Sequence, residues 1–164
     1  MKKIIALTVL LALSLVYTYH GQAVEPVSSE AVPQIFFVDR KLHRLISLDF
    51  AESGNPEALC RKMIAELIDG RDNNPEILRI IPKEKHIISV KVKNQSAIVD
   101  LSSRLKQKIA KNPENERLVI YQIVNSLTSV SGISQVQFTI DRKVEKDFLG
   151  FLDMREIFTP NYDI

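Results

Sequence analysis

The 164-residue chain has no tryptophan, one cysteine, five glycines and seven prolines. So little glycine and proline excludes a collagen-like or low-complexity chain. The single cysteine, Cys60, excludes an internal disulfide, so an exported protein of this sequence must be held by its apolar core. Excess charge is missing too. There are 22 Lys and Arg against 20 Asp and Glu, and two of the lysines fall at positions 2 and 3. The remaining charges balance, so no basic face is expected and nucleic acid is not expected as a partner. Histidine is scarce beyond the first 23 residues. His43 and His86 lie in different loops, with no Cys or His at ligand spacing, which speaks against zinc. A glycine-rich phosphate loop and a nucleophile elbow are both absent, and no Ser/His/Asp set has a geometric warrant. The sequence therefore assigns no catalytic, cofactor-binding or metal-ligating residue, and a non-enzymatic protein without a small-molecule cofactor is expected.

What is present begins with a leader. Lys2 and Lys3 precede an apolar run from Ile4 to Val16, broken only by Thr8 and Ser14. The more polar stretch Tyr17 to Ala23 ends in Gly21-Gln22-Ala23, with small residues at the −3 and −1 positions of a cleavage site. That layout predicts a secretory signal peptide over 1–23. The alternative is an uncleaved anchor, but thirteen residues at 1.5 Å each give roughly 20 Å of helix, short of a ~30 Å hydrocarbon core. No cysteine follows the run, so a lipid anchor on a new N-terminal cysteine is not expected. Export across the cytoplasmic membrane, to its periplasmic or extracellular face, is the predicted localisation. Residues 24–33, with two prolines and two serines, read as a linker, and 34–164 as a single domain.

Within that domain, the β-rich segments 34–39 and 45–50 predict an N-terminal hairpin around Arg40-Lys41. Asn55-Pro56 is a cap followed by a proline suited to the first helical position. Leu59, Met63, Ile64, Leu67 and Ile68 then share one helical face, and Gly70 is a ready C-cap. Cys60, beside Leu59 and one turn before Ile64, reads as core, with a reactive thiol or an intermolecular bridge as the alternative. Residues 71–86 are polar, contain Pro75 and Pro82, and predict a loop with a short turn near 77–81. Period-two alternation over 87–101 around Asn94-Gln95 predicts a second hairpin. Asn112-Pro113 repeats the cap signal before a helix over 114–130 that carries Val119, Ile123, Leu127 and Val130, and Gly132 ends it. Val136, Phe138 and Ile140 alternate in a strand over 134–140, and Phe148, Phe151, Phe158 and Tyr162 predict a tail packed on the domain. The fold class is α+β. Two helices cover one face of a small sheet in helix–strand–strand–helix–strand order, with the N-terminal hairpin ahead of them.

Three clusters carry polar groups that chemistry would need. Asp100-Leu101-Ser102 ends a strand, where an Asp serves a metal or acts as a base, or more commonly binds backbone amides and starts the next turn. Asn125, Ser126 and Thr128 lie in the second helix, where hydroxyls usually bond the preceding turn. Arg40, Lys41, Arg44, Lys83, Lys85, Lys91, Lys93, Arg104, Lys106, Lys108 and Lys111 would form a patch for anionic lipid or wall polymer. Matching acids make a mixed solvated surface the simpler reading.

The ordered segments resemble the GerM domain family of sporulation and spore germination proteins. The resemblance rests on Ile35-Phe36-Phe37-Val38, on Glu66-Leu67-Ile68-Asp69-Gly70, and on Ile81-Pro82 before a lysine-rich turn. It continues through Ala97-Ile98-Val99-Asp100-Leu101-Ser102, Glu116 entering a helix with Ile123-Val124-Asn125-Ser126-Leu127-Thr128, and Gly132-Ile133 before Val136-Gln137-Phe138, to Leu149-Gly150-Phe151-Leu152-Asp153. It covers roughly 33–160. Two departures stand out: Arg71-Asp72 follows Gly70 where the family leads into proline, and Arg142 stands where glycine is usual. The resemblance implies a fold like the ring-building domains of secretion assemblies, no catalytic residues, and an interaction or assembly role in the cell envelope. The expected partner is an envelope protein or a second copy. The alternative is a protein that binds wall polymer, or an enzyme hydrolysing envelope material through Asp100 and nearby Asn or Ser.

Overall fold

Two asparagines start the two α-helices of the described residues. In this computed structural model, which describes residues 32–164, the Asn55 side chain accepts the Ala58 N–H at 2.9 Å and opens α1 (Pro56–Asp69). The Asn112 side chain does the same for Asn115 at 2.7 Å and opens α2 (Pro113–Thr128). Each helix has proline directly after the cap, where no N–H is missed. The signal peptide expected over 1–23 and most of the linker lie outside the described residues. Among the described residues no helix is long and apolar enough to cross a membrane.

The strands distribute over two small sheets within the α+β class. In the first, β1 (Gln34–Asp39) pairs antiparallel with β2 (Leu45–Asp49) on one side and with the two-residue β3 (Ile77–Leu78) on the other. β3 falls inside the predicted 71–86 loop and is too short to show alternation. In the second, β4 (Ile87–Lys93) and β5 (Ser96–Leu101) form the predicted hairpin, and β6 (Gln135–Ile140) joins β5 in parallel. The hairpin turns at Asn94 and Gln95, both at positive φ (50° and 62°), the backbone that matches the twist of the flanking strands. A parallel pair requires a long crossover, which a 3-10 helix (Ser103–Gln107) and α2 supply.

α1 packs on β4 and α2 on both β1 and β6, so one core runs between the helices and the two sheets. Leu59, Cys60, Met63, Ile64 and Leu67 of α1 are buried in it; Ile68 is partly buried against it. The tail contributes Phe148 and Phe158. Phe158 exchanges two backbone hydrogen bonds with Val136 and meets Phe138 edge-on at 5.4 Å. Phe151 and Tyr162 are exposed, although Tyr162 leans on Phe36 at 5.8 Å.

Candidate functional site

Most buried polar side chains lie on α2, and most of them hold backbone. β3 covers β1 only at Val38 and Asp39, which leaves the rest of that edge open. Two hydroxyls one helical turn apart close it. Ser126 accepts the Phe36 N–H at 2.9 Å, and Ser129 accepts the Gln34 N–H at 2.9 Å while donating to the Gln34 carbonyl at 2.7 Å. Ser126 also donates to the Gln122 carbonyl and Thr128 to that of Val124, the bonding to the preceding turn typical of hydroxyls in helices. Asn125 turns the other way. Its amide donates to the Asn161 carbonyl at 2.7 Å and accepts the Asn161 N–H at 2.9 Å, pinning the tail.

Glu116 sits in the first turn of α2 and is fully buried. Its carboxylate accepts the backbone N–H groups of Leu149, Phe151 and Leu152 at 2.6, 2.8 and 3.1 Å. Gly150, at φ +103°, supplies the backbone turn between those donors, a conformation that a side chain would strain. Sequence reasoning saw Glu116 only as an acid near a helix start. The signal for its role was Gly150 in the tail, but the donors are backbone groups with no side-chain signature.

Asp100 ends β5 and is 4% exposed. One oxygen accepts the Thr139 hydroxyl and the Arg142 N–H, both at 2.7 Å; the other is buried without a partner. Arg142 occupies the second position of a two-residue turn with Asp141, at φ 66° and 48°, closed by paired Ile140 and Lys143 backbone bonds. The tight turn thus forms without glycine at 142, and the Asp100 carboxylate anchors the strained residue. Ser102 caps the 3-10 helix by accepting the Arg104 N–H.

The other sequence candidates lie apart. His43 is exposed in the β1–β2 turn, 3.7 Å from Glu114. His86, just before β4, is buried with Nε2 3.2 Å from Glu84. That contact lacks hydrogen-bond geometry. Among the described residues no three His, Cys, Asp or Glu side chains gather as a metal site. Cys60 is fully buried, and burial pushes its thiol up to about 11, so it is core and a poor nucleophile. Of the basic residues, Lys83 pairs with Asp72 and Lys108 with Glu84. Arg71 pairs with Glu66 and lies over the Phe37 ring at 5.4 Å.

Two of the concave surfaces among the described residues lie against α1. A groove of about 400 Å³ runs between α1 and β4, lined by Glu57, Arg61, Ile64 and β4 residues that include the exposed Ile88. β4 is an outer strand, and its Val92 N–H is taken by the Glu57 carboxylate at 3.0 Å. A cavity of about 240 Å³ lies between the end of α1, β1, β3 and Gln122 of α2.

A domain of two helices and two small sheets, with most of its buried polar side chains bonded to backbone, defines a small α+β module. The chain belongs to the Germane family, described as sporulation and spore germination, which its residues 34–146 match. No curated protein sequence matches the chain. Its fold is similar to the first GerMN domain of the sporulation protein GerM from Bacillus subtilis, with TM-score 0.59, 17% identity, and coverage of 81% of this chain and 98% of that one. The tandem GerMN domains of the same protein give TM-score 0.60 and 18% identity over 78% of this chain, which spans only 45% of theirs. A candidate lipoprotein from Clostridium perfringens is also similar, with TM-score 0.58, 22% identity, and coverage of 71% and 73%.

Proposed function

We propose that this protein is an exported, non-enzymatic domain of the cell envelope that works by adding a partner's strand to the outer edge of β4. The observation that carries the reading is the groove between α1 and β4, where a strand edge with no neighbouring strand lies beside exposed Ile88. Such an edge offers main-chain hydrogen bonds to an extended segment, and alternate side chains of that segment reach the groove. The lysine-led apolar leader and the similarity to a protein described as a candidate lipoprotein support placement outside the cytoplasmic membrane. Membership of a sporulation and germination family supports a role in that process.

The test is complementation of a deletion strain, with protein levels checked. Ile88→Asp places a charge on an exposed position and should abolish function at normal abundance. Asp100→Asn keeps an oxygen acceptor for Thr139 and Arg142 and should restore function. Abundant but inactive Asp100→Asn protein, beside active Ile88→Asp, would move the function to chemistry at Asp100, since a catalytic carboxylate does not survive loss of its proton transfer.

A further inference from the structure

The outer edge of β4 carries charge of one sign. Lys91 and Lys93 are exposed, and the pleat sets both on one face, about 7 Å apart. Across the ladder β5 places Ile98 and Ser96 opposite them, so neither lysine meets an acid there. Among the described residues neither forms a salt bridge, and nor does the exposed Lys85 just ahead of the strand. Lysine on an edge strand guards against pairing with a like edge. A second copy laid antiparallel along β4 would gather the lysines of both strands on one face, where like charges repel.

The same edge already holds one carboxylate. Glu57 reaches from α1 to accept the Val92 N–H at 3.0 Å, and it also pairs with Arg61 one helical turn on. A strand that takes over the Val92 N–H leaves Glu57 to Arg61, which meets it in either case. The groove beside the edge has an apolar floor of Ile64 from α1 and Ile87 and Val90 from β4. On a strand added here, the residues opposite Lys91 and Lys93 share the lysine face, and the residue between them turns toward the groove. The pattern that complements this edge is therefore acid, apolar, acid.

We infer that the occupant of the β4 edge is an acidic extended segment of another protein, with Asp or Glu opposite Lys91 and Lys93 and an apolar side chain between them; the inference rests on the strand addition proposed above. The probes are the capped peptide Ser-Val-Glu-Val-Glu-Val-Ser and its counterparts with glutamine or lysine in place of glutamate. Each is titrated at low salt, to about 5 mM, into the isotope-labelled full chain, and the amide resonances of Ile88, Val90, Val92 and Lys93 are followed. The glutamate peptide should bind about threefold or more tightly than the glutamine peptide, as two exposed ion pairs allow, and the lysine peptide should bind least. Added salt should narrow the difference. Lys91→Glu combined with Lys93→Glu should reverse the order. Glu57→Gln, which leaves Arg61 without its acid, should tighten the glutamate peptide. Equal binding of all three peptides would overturn the acidic partner and leave strand addition standing, whereas no shifts with any peptide would overturn both. Polyphosphate shifting the same amides as strongly as the glutamate peptide would make the lysines a general polyanion patch and overturn the inference. So would shifts of these amides on dilution of the protein alone, which would put a second copy on the edge.

Discussion

Glu116 at the start of α2 and Asp100 at the end of β5 are both carboxylates inside the domain, yet their surroundings use them differently. Glu116 employs both oxygens on three backbone N–H groups that lie 33 to 36 residues further along the chain. Asp100 employs one oxygen on a neighbouring strand and turn and leaves the other bare. The first region closes the tail onto the core; the second steadies one tight turn. A buried carboxylate stabilises a fold in proportion to the donors that meet it, since every unmet lone pair retains its desolvation penalty. Burial by itself therefore ranks neither site.

The sharpest way to break this comparison is Glu116→Ala. Three N–H groups would lose their acceptor, at about 1–3 kcal/mol each with partial rescue by water, so a loss of about 3–5 kcal/mol is expected by urea denaturation. Hydrogen exchange should accelerate at Leu149, Phe151 and Leu152 before the rest of the domain. A loss below about 1 kcal/mol would place Glu116 with Asp100 as a local support. For scale, Leu67→Ala or Leu127→Ala should cost about 2–5 kcal/mol, the range for a buried leucine that leaves a cavity. Both side chains are at most 2% exposed. If neither costs more than about 1 kcal/mol, the helices do not hold the core.

Asp100→Asn should change stability by less than about 1 kcal/mol, because the remaining oxygen still meets Thr139 and Arg142. In the same turn, Arg142→Gly should stabilise by about 0.5–1 kcal/mol by relieving a left-handed residue, measurable as a raised urea midpoint. A third carboxylate, half-buried at the surface, supplies a contrast. Asp153 is pulled down to about 2, chiefly by its hydrogen bond to the Arg155 side chain. Its folded value lies below the ordinary 3.8, so whatever it contributes is present above that pH and lost as pH falls through about 2. An NMR titration should find that midpoint, and Arg155→Gln should return it toward the ordinary value. A midpoint already at the ordinary value in the unmutated protein would remove the Arg155 bond from the account.

The helices were legible because their signals are local: Asn-Pro at each start and an apolar stripe behind it. The β4–β5 hairpin was legible for the same reason, with alternation on both sides of Asn94-Gln95. The division into two sheets was not. It depends on β3, only two residues long, and on Ser126 and Ser129 finishing the edge of β1 from 90 and 95 residues away. The tail was read as packed, but of its four aromatics only Phe148 and Phe158 are buried, because the other anchors are Glu116 and Asn125 binding backbone. Arg71, which departs from the family pattern, lines the cavity.

The hydroxyls of α2 that complete β1 carry a kinetic consequence. The hairpin of β1 and β2 is synthesised first, but one of its edges stays unsatisfied until residues 90 to 95 positions later arrive. The parallel pairing of β5 and β6 likewise waits for the whole of α2. Contacts this distant place folding among the slower mixed topologies, where loop closure precedes the reward. A nascent chain therefore lingers in an open, threadable form, the form in which a polypeptide passes through a narrow channel.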